Sequence, residues 1–247
     1  MTEHRETFVA KRLAKRVSIP PHDLPPVEFD ASPVPEGLLD WLREHLAAGE
    51  THYTARPGIP ELRALIGREI GKIGGTSRDT DGVIITHGEG EALYVALLGL
   101  GLNSESKLAV LGTCRHGTLL DLLGISTTDF NGTESADAIY RDIAAENTER
   151  AEALVAAGGV RFMIVALGKL LFSSESDGNK LRGVSDAAVL LGNLDSVPGL
   201  DHFRLGFVAG PPSLVKRIQT WKQALSICTA GPSQRAALFA IEGRSTS

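Results

Sequence analysis

The stretch from Val189 to Gln223 reads VLLGNLDSVPGLDHFRLGFVAGPPSLVKRIQTWKQ. Val189, Leu190 and Leu191 form a short apolar run, ended by Gly192 and Asn193. After a glycine-bearing turn, Arg204 to Gly210 (RLGFVAG) is a second apolar run, stopped by Pro211–Pro212. The residues that follow put Leu214, Val215, Ile218, Trp221 and Leu225 on one stripe at helical spacing. Proline in the first turn is the expected helix start. The order is strand, turn, strand, helix.

Outward from this stretch the same alternation repeats. Val83-Ile84-Ile85-Thr86 and Lys107 to Leu111 read as buried strands, and so does Arg161 to Lys169 (RFMIVALGK). Pro60 opens a helix whose stripe is Leu62, Leu65, Ile66, Ile70 and Ile73, ended by Gly74–Gly75. Residues 92–100 are apolar nearly all round, the mark of a buried helix. A short helix is expected around Gly37 to Ala48, with Leu38, Leu39, Leu42 and Leu46 on one side. Asp137 to Ala157 reads as a helix with Ile139, Ile143, Leu154 and Val155 inward, stopped by Gly158–Gly159. The expected fold class is α/β: a three-layer α/β/α sandwich with a mostly parallel sheet. Its strands fall near 83–86, 107–111, 161–167, 187–192 and 204–209.

Length and composition bound the function. A chain of 247 residues can bury a substantial core. A net charge of −5 argues against general binding to nucleic acid or an anionic membrane. The two cysteines, Cys114 and Cys228, lie far apart and make no metal spacing, so no metal site and a reducing compartment are expected. With no apolar run long enough to span a bilayer and no secretory leader, the expected location is the cytoplasm. Residues 5–17 read as a basic amphipathic helix, an arm packing on its own domain or on a dimer mate, or a contact for a partner or membrane.

The loop His87-Gly88-Glu89-Gly90-Glu91-Ala92-Leu93 joins a strand to a helix. Such a loop points free backbone N–H groups at an anion, and the helix dipole helps. A dinucleotide fingerprint G-x-G-x-x-G fits Gly88 and Gly90, but its third position is Leu93. Gly90 supplies no hydroxyl, and Glu89 brings a carboxylate to the loop. A like charge at about 4 Å costs about 4 kcal/mol at an effective dielectric near 20.

Four motifs in order resemble fold-type-I pyridoxal-phosphate (PLP) enzymes, specifically the class I/II aminotransferases. His52-Tyr53 followed by Gly58-Ile59-Pro60-Glu61-Leu62-Arg63 matches their tyrosine and G-x-x-x-L-R. Thr86 to Leu93 matches T-x-G-x-x-E-A-L, the phosphate loop. Arg161 to Lys169 aligns with the strand that ends in D-E-x-Y. Gly192 to Phe207 aligns with G-S-x-S-K, a spacer, then aromatic-Arg-hydrophobic-Gly-aromatic. The resemblance implies that Gly88, Glu89, Gly90 and Arg204 surround a cofactor phosphate. It puts His116 at the aromatic that stacks on the pyridine ring, though a purely structural histidine fits as well. It makes Tyr53 reach the neighbouring subunit's cofactor, or simply pack between subunits.

The same alignment puts Ser196 where the family has its lysine, Ala166 where it has the aspartate at the ring nitrogen, and Lys169 at the tyrosine. The N-P-T-G motif has no counterpart. The implied organisation is an arm and short helix over 1–50 and a large domain over 51–247, without the family's C-terminal small domain. The expected function is a degenerate aminotransferase-like protein with no catalytic residue in place and no transaminase activity. It would bind a phosphorylated small molecule or a partner protein, with PLP non-covalent at best. The alternative is an active PLP-dependent aminotransferase using a displaced lysine, Lys169. The expected assembly is a homodimer, or a heteromer with an active homologue.

Overall fold

The computed structural model describes residues 33–50, 52–132, 135–146, 148–172 and 180–244. The amphipathic arm expected over 5–17 lies outside the described residues.

Seven strands form one sheet: β1 Val83–Thr86, β2 Lys107–Leu111, β3 Ser126–Asp129, β4 Ala138–Asp142, β5 Phe162–Ala166, β6 Val189–Asn193 and β7 Gly206–Ala209. Their order is β1-β7-β6-β5-β4-β2-β3. The β2–β3, β2–β4, β4–β5 and β5–β6 pairs are parallel, and β7 runs antiparallel to both β1 and β6. The described helices are α1 Leu38–Ala47, α2 Pro60–Lys72, α3 Gly88–Leu100, α4 Gly117–Leu123, α5 Glu149–Ala156, α6 Pro212–Ser226 and α7 Gly231–Arg244.

The strand period of two sends alternate side chains to opposite faces. Val83, Ile85, Ile139, Met163, Val165, Leu190, Phe207 and Ala209 join one core, with Leu62, Ile66 and Ile70 of α2 and Ala237 of α7. Ile84, Tyr140, Ile164, Ala166, Val189, Leu191 and Val208 join the other, with Leu93 and Leu97 of α3 and Ile218 of α6. Two cores on opposite faces of one sheet make the three layers, and the expected fold class holds. On the first face Trp41 of α1 stacks near Phe239 of α7, ring centroids 5.5 Å apart.

Four local expectations are corrected. Asp137–Ala157 is not one helix: β4 occupies Ala138–Asp142, and only Glu149–Ala156 is helical. Every residue of β4 is buried, and neighbours on both sides supply its backbone bonds. That pairing overrides the helical spacing of Ile139 and Ile143. The last strand begins at Gly206 rather than Arg204, because Arg204 adopts a left-handed φ of 47° that no strand continues. In α1, Leu38 is buried, but Leu39 is 67% and Leu46 40% exposed. In α6 the stripe turns away after Ile218. Trp221 and Leu225 are exposed, and Lys222 takes the inward place with no exposure at all. Glu91 and Ser226, described below, give Lys222 its partners there.

Candidate functional site

The parallel strands and β1 end on one side of the molecule, and an open cavity of about 1080 Å³ lies there. It is bounded by the start of α3 after β1, by Arg115 and His116 after β2, by Lys169 after β5, by Asn193 at the end of β6 and by Asp195 just beyond it. Arg204 enters from the turn before β7. Ligands of open α/β sheets bind outside strand carboxyl ends, as here.

The start of α3 is fixed from two directions. Gly206 packs so close to it that a Cβ there would stand 2.4 Å from the carbonyl carbon of Gly88. Only glycine permits β7 to bring Arg204 beside the loop. From the other side, Glu91 Oε2 accepts hydrogen bonds from the His87 backbone N–H at 2.7 Å and from His87 Nδ1 at 3.0 Å. Ser226 Oγ donates to Glu91 Oε1 at 2.7 Å, and Lys222 Nζ lies 3.5 Å from Oε2. Burial pushes the Glu91 carboxyl up, but these donors and the Lys222 charge outweigh it and hold it at about 2. Burial pulls Lys222 down, and Glu91 opposes that shift.

Glu89 has the opposite environment. It is 5% exposed, and among the described residues neither of its oxygens accepts a hydrogen bond of good geometry. His116 Nε2 stands 3.8 Å from Oε1, and the His116 ring lies against Gly90. Burial pushes the Glu89 carboxyl up. Arg115 and the Gly168 backbone N–H oppose the shift, and the charges of Asp142 and Asp195 reinforce it. Burial lowers His116, with the Arg115 charge adding to it, so His116 is held neutral. The Arg115 guanidinium lies over Gly168, where a Cβ would sit 2.5 Å from Nη1, and its Nη2 is 3.8 Å from Asp142 Oδ2. Burial raises Asp195, with Lys169 and Arg204 opposing it and Asp201 reinforcing it.

The structure thus brings Gly88, Glu89, Gly90, His116, Arg204 and Lys169 to one cavity. Three other positions lie elsewhere. Tyr53 is 80% exposed and lines a separate groove with Glu50, Pro60 and Arg235. Ser196 is half-buried, and its hydroxyl donates to the Leu171 carbonyl. Ala166 is 3% exposed in the core at the end of β5. The sequence reading missed Arg115 and Asp142. Asp142 was hidden inside the helix expected over 137–157; as the last residue of β4 it sits directly across from Ala166. The alternation Ala138-Ile139-Tyr140-Arg141-Asp142, read as a strand, would have found it. Among the described residues no cluster of histidine, cysteine or acidic side chains could hold a metal ion. No described helix is long and apolar enough to cross a membrane.

PLP, the cofactor that the resemblance implies, needs an amine for its aldehyde, an acid at its ring nitrogen and donors for its phosphate. Arg204 and the first amides of α3 supply donors. With Ser196 committed to a backbone carbonyl, Ala166 in the core and an unpartnered Glu89 carboxyl in the phosphate loop, these residues do not fit that cofactor.

No protein-family model matches the chain. A probable aspartate aminotransferase of Methanocaldococcus jannaschii is 33% identical over 73 residues, which are 30% of this chain and 19% of that protein. Among solved structures, a Methanococcus jannaschii protein similar in its active site to kynurenine aminotransferases superposes with a TM-score of 0.72 at 20% identity. The match covers 89% of this chain and 65% of that one. Thermus thermophilus aspartate aminotransferase with maleate gives a TM-score of 0.71 at 18% identity, over 88% of this chain and 63% of that one. N-Succinyldiaminopimelate aminotransferase of Mycobacterium tuberculosis gives 0.72 at 16%, over 88% and 65%. The chain therefore spans less than two thirds of these solved relatives, and over that span it has the α/β fold of the fold-type-I, PLP-dependent aminotransferases.

Proposed function

We propose that this protein is an aminotransferase-like binding protein without transaminase activity, which holds a small phosphorylated molecule at the strand-end cavity. The observation that carries the reading is the split between Ser196 and its neighbours. The Ser196 hydroxyl is bonded to the Leu171 carbonyl and does not line the cavity, whereas Arg204, Lys169 and Arg115 do. A hydroxyl cannot form the covalent link to an aldehyde that transamination needs. Guanidinium groups hold phosphate oxygens in a bidentate manner, and the amides at the start of α3 add to the attraction. Calorimetry with inorganic phosphate tests this. The wild type is expected to bind, and Arg204→Ala to weaken binding about tenfold or more, since a charged hydrogen bond contributes about 1.5–3 kcal/mol. Binding that is absent, or indifferent to Arg204, refutes it.

A second reading rests on the position of Lys169, whose side chain lines the cavity close enough to Asp195 to act on its charge. It is an active PLP-dependent aminotransferase with a displaced lysine. Borohydride treatment of protein mixed with PLP, followed by peptide mass mapping, separates the two. An adduct on Lys169 supports the second reading, and an unmodified Lys169 supports the first.

The remaining parts of the proposal are a cytoplasmic location, an arm and short helix over 1–50 ahead of a large domain over 51–247, and a homodimer or a heteromer with an active homologue. The exposure of Tyr53, outside its own chain's cavity, supports the dimer. Light scattering at micromolar concentration that shows a monomer would count against it.

A further inference from the structure

Glu89 is the group that the phosphate reading leaves unexplained. Its carboxyl is buried in the cavity wall; the Gly168 backbone N–H acts on it, but among the described residues neither oxygen has a well-formed hydrogen bond. Buried polar groups ordinarily have partners, and an exception calls for a reason. Six charged or titratable side chains face it: Cys114 and Arg115 ahead of α4, His116 at its start, Tyr140 and Asp142 of β4, and Asp195 after β6. None of them satisfies it. Arg115 is half exposed and stands beside Asp142. His116, kept neutral by burial, is 3.8 Å away, beyond hydrogen-bond distance. The two aspartates repel it. The positive end of the α3 dipole favours an ionised Glu89, so what the site lacks is a counter-cation.

Two further bases of the cavity sit elsewhere. Lys169 and Arg204 are exposed, and both act on Asp195. The cavity therefore offers a buried acid without a partner and two exposed bases, a pattern that matches a ligand with charges of both signs.

We infer that the cavity takes a small aminoalkyl phosphate, whose ammonium group donates to Glu89 while its phosphate is held by Arg204 and Lys169. The inference rests on the phosphate reading above and adds the second end of the ligand. Burial keeps Glu89 protonated more readily than an ordinary carboxyl, and a docked ammonium favours its ionised form, so any proton that Glu89 carries leaves to solvent. The ligand loses no proton, and no covalent bond changes.

Titration calorimetry with O-phosphoethanolamine, inorganic phosphate and ethanolamine tests the inference on the full chain. O-phosphoethanolamine is expected to bind at least tenfold tighter than inorganic phosphate. Its preference over inorganic phosphate should weaken as pH falls and Glu89 takes up a proton, because a neutral carboxyl no longer attracts the ammonium charge. Glu89→Gln should remove the tenfold preference, because the ammonium loses the carboxylate that receives it. The pH dependence is read on the wild type, so it stands even if the variant folds poorly. Equal affinity for the two phosphates, a preference that does not weaken in acid, or a preference that survives Glu89→Gln would overturn the inference while leaving the phosphate reading intact. If inorganic phosphate does not bind either, both fail.

Discussion

Glu91→Gln is expected to destabilise the fold by about 3 kcal/mol at neutral pH and to loosen the start of α3. Glu91 is held at about 2 against an ordinary 4.5. A difference of this size stabilises the folded, ionised form by about 3 kcal/mol at 1.36 kcal/mol per unit. The glutamine keeps the shape but loses the charge, which leaves fully buried Lys222 without its counter-ion. Removing one partner of a buried pair is expected to cost about 3–5 kcal/mol, so the two arguments agree in size. The sign in pH follows from the depressed value. The contribution is complete above about pH 4.5 and fades as pH falls towards about 2, so the wild type loses this advantage in acid. Urea denaturation of Glu91→Gln, Lys222→Met and the double variant measures the coupling. The double variant should lose less than the sum of the singles, because neither charge is left unpaired. Full additivity, or a Glu91→Gln cost below about 1 kcal/mol, would refute the pairing.

Three other outcomes follow from the same geometry. Gly206→Ala should destabilise by about 1–3 kcal/mol in urea melts, since its Cβ would meet the Gly88 carbonyl carbon at 2.4 Å. Glu89→Gln should leave the protein more stable than the wild type near pH 8 and close to it near pH 5. A carboxyl with a raised value contributes stability below its unfolded value and loses it as pH rises through the folded one, and thermal melts at the two pH values read the difference. Arg204→Ala, an exposed change, should alter stability by less than about 0.5 kcal/mol in denaturant melts.

The parts of the fold that the sequence reveals are those with one local signal. β1, β2, β5 and β6 are apolar runs bounded by glycine or polar residues, and each lies where expected. β3 and β4 escaped for different reasons. β3 is a mostly exposed edge strand, Ser126-Thr127-Thr128-Asp129, with little apolar content to mark it. β4 owes its conformation to β2 and β5 on either side, and its own residues also fit a helix. The site divides in the same way. Gly88–Gly90, His116 and Arg204 carry motif spacing that can be read along the chain. Asp142 depends on knowing that β4 is a strand. Lys222 could not be read at all: its inward position depends on Glu91, on another helix, and a helical stripe places Trp221 there first.

The turnover of wild-type protein, supplied with PLP and a panel of amino acids and 2-oxo acids, tests the central claim most directly. With the Ser196 hydroxyl held by Leu171 and Ala166 in the core, the rate should not exceed the background of free cofactor. Turnover above that background, abolished by Lys169→Ala, would contradict the account and assign the chemistry to the relocated lysine.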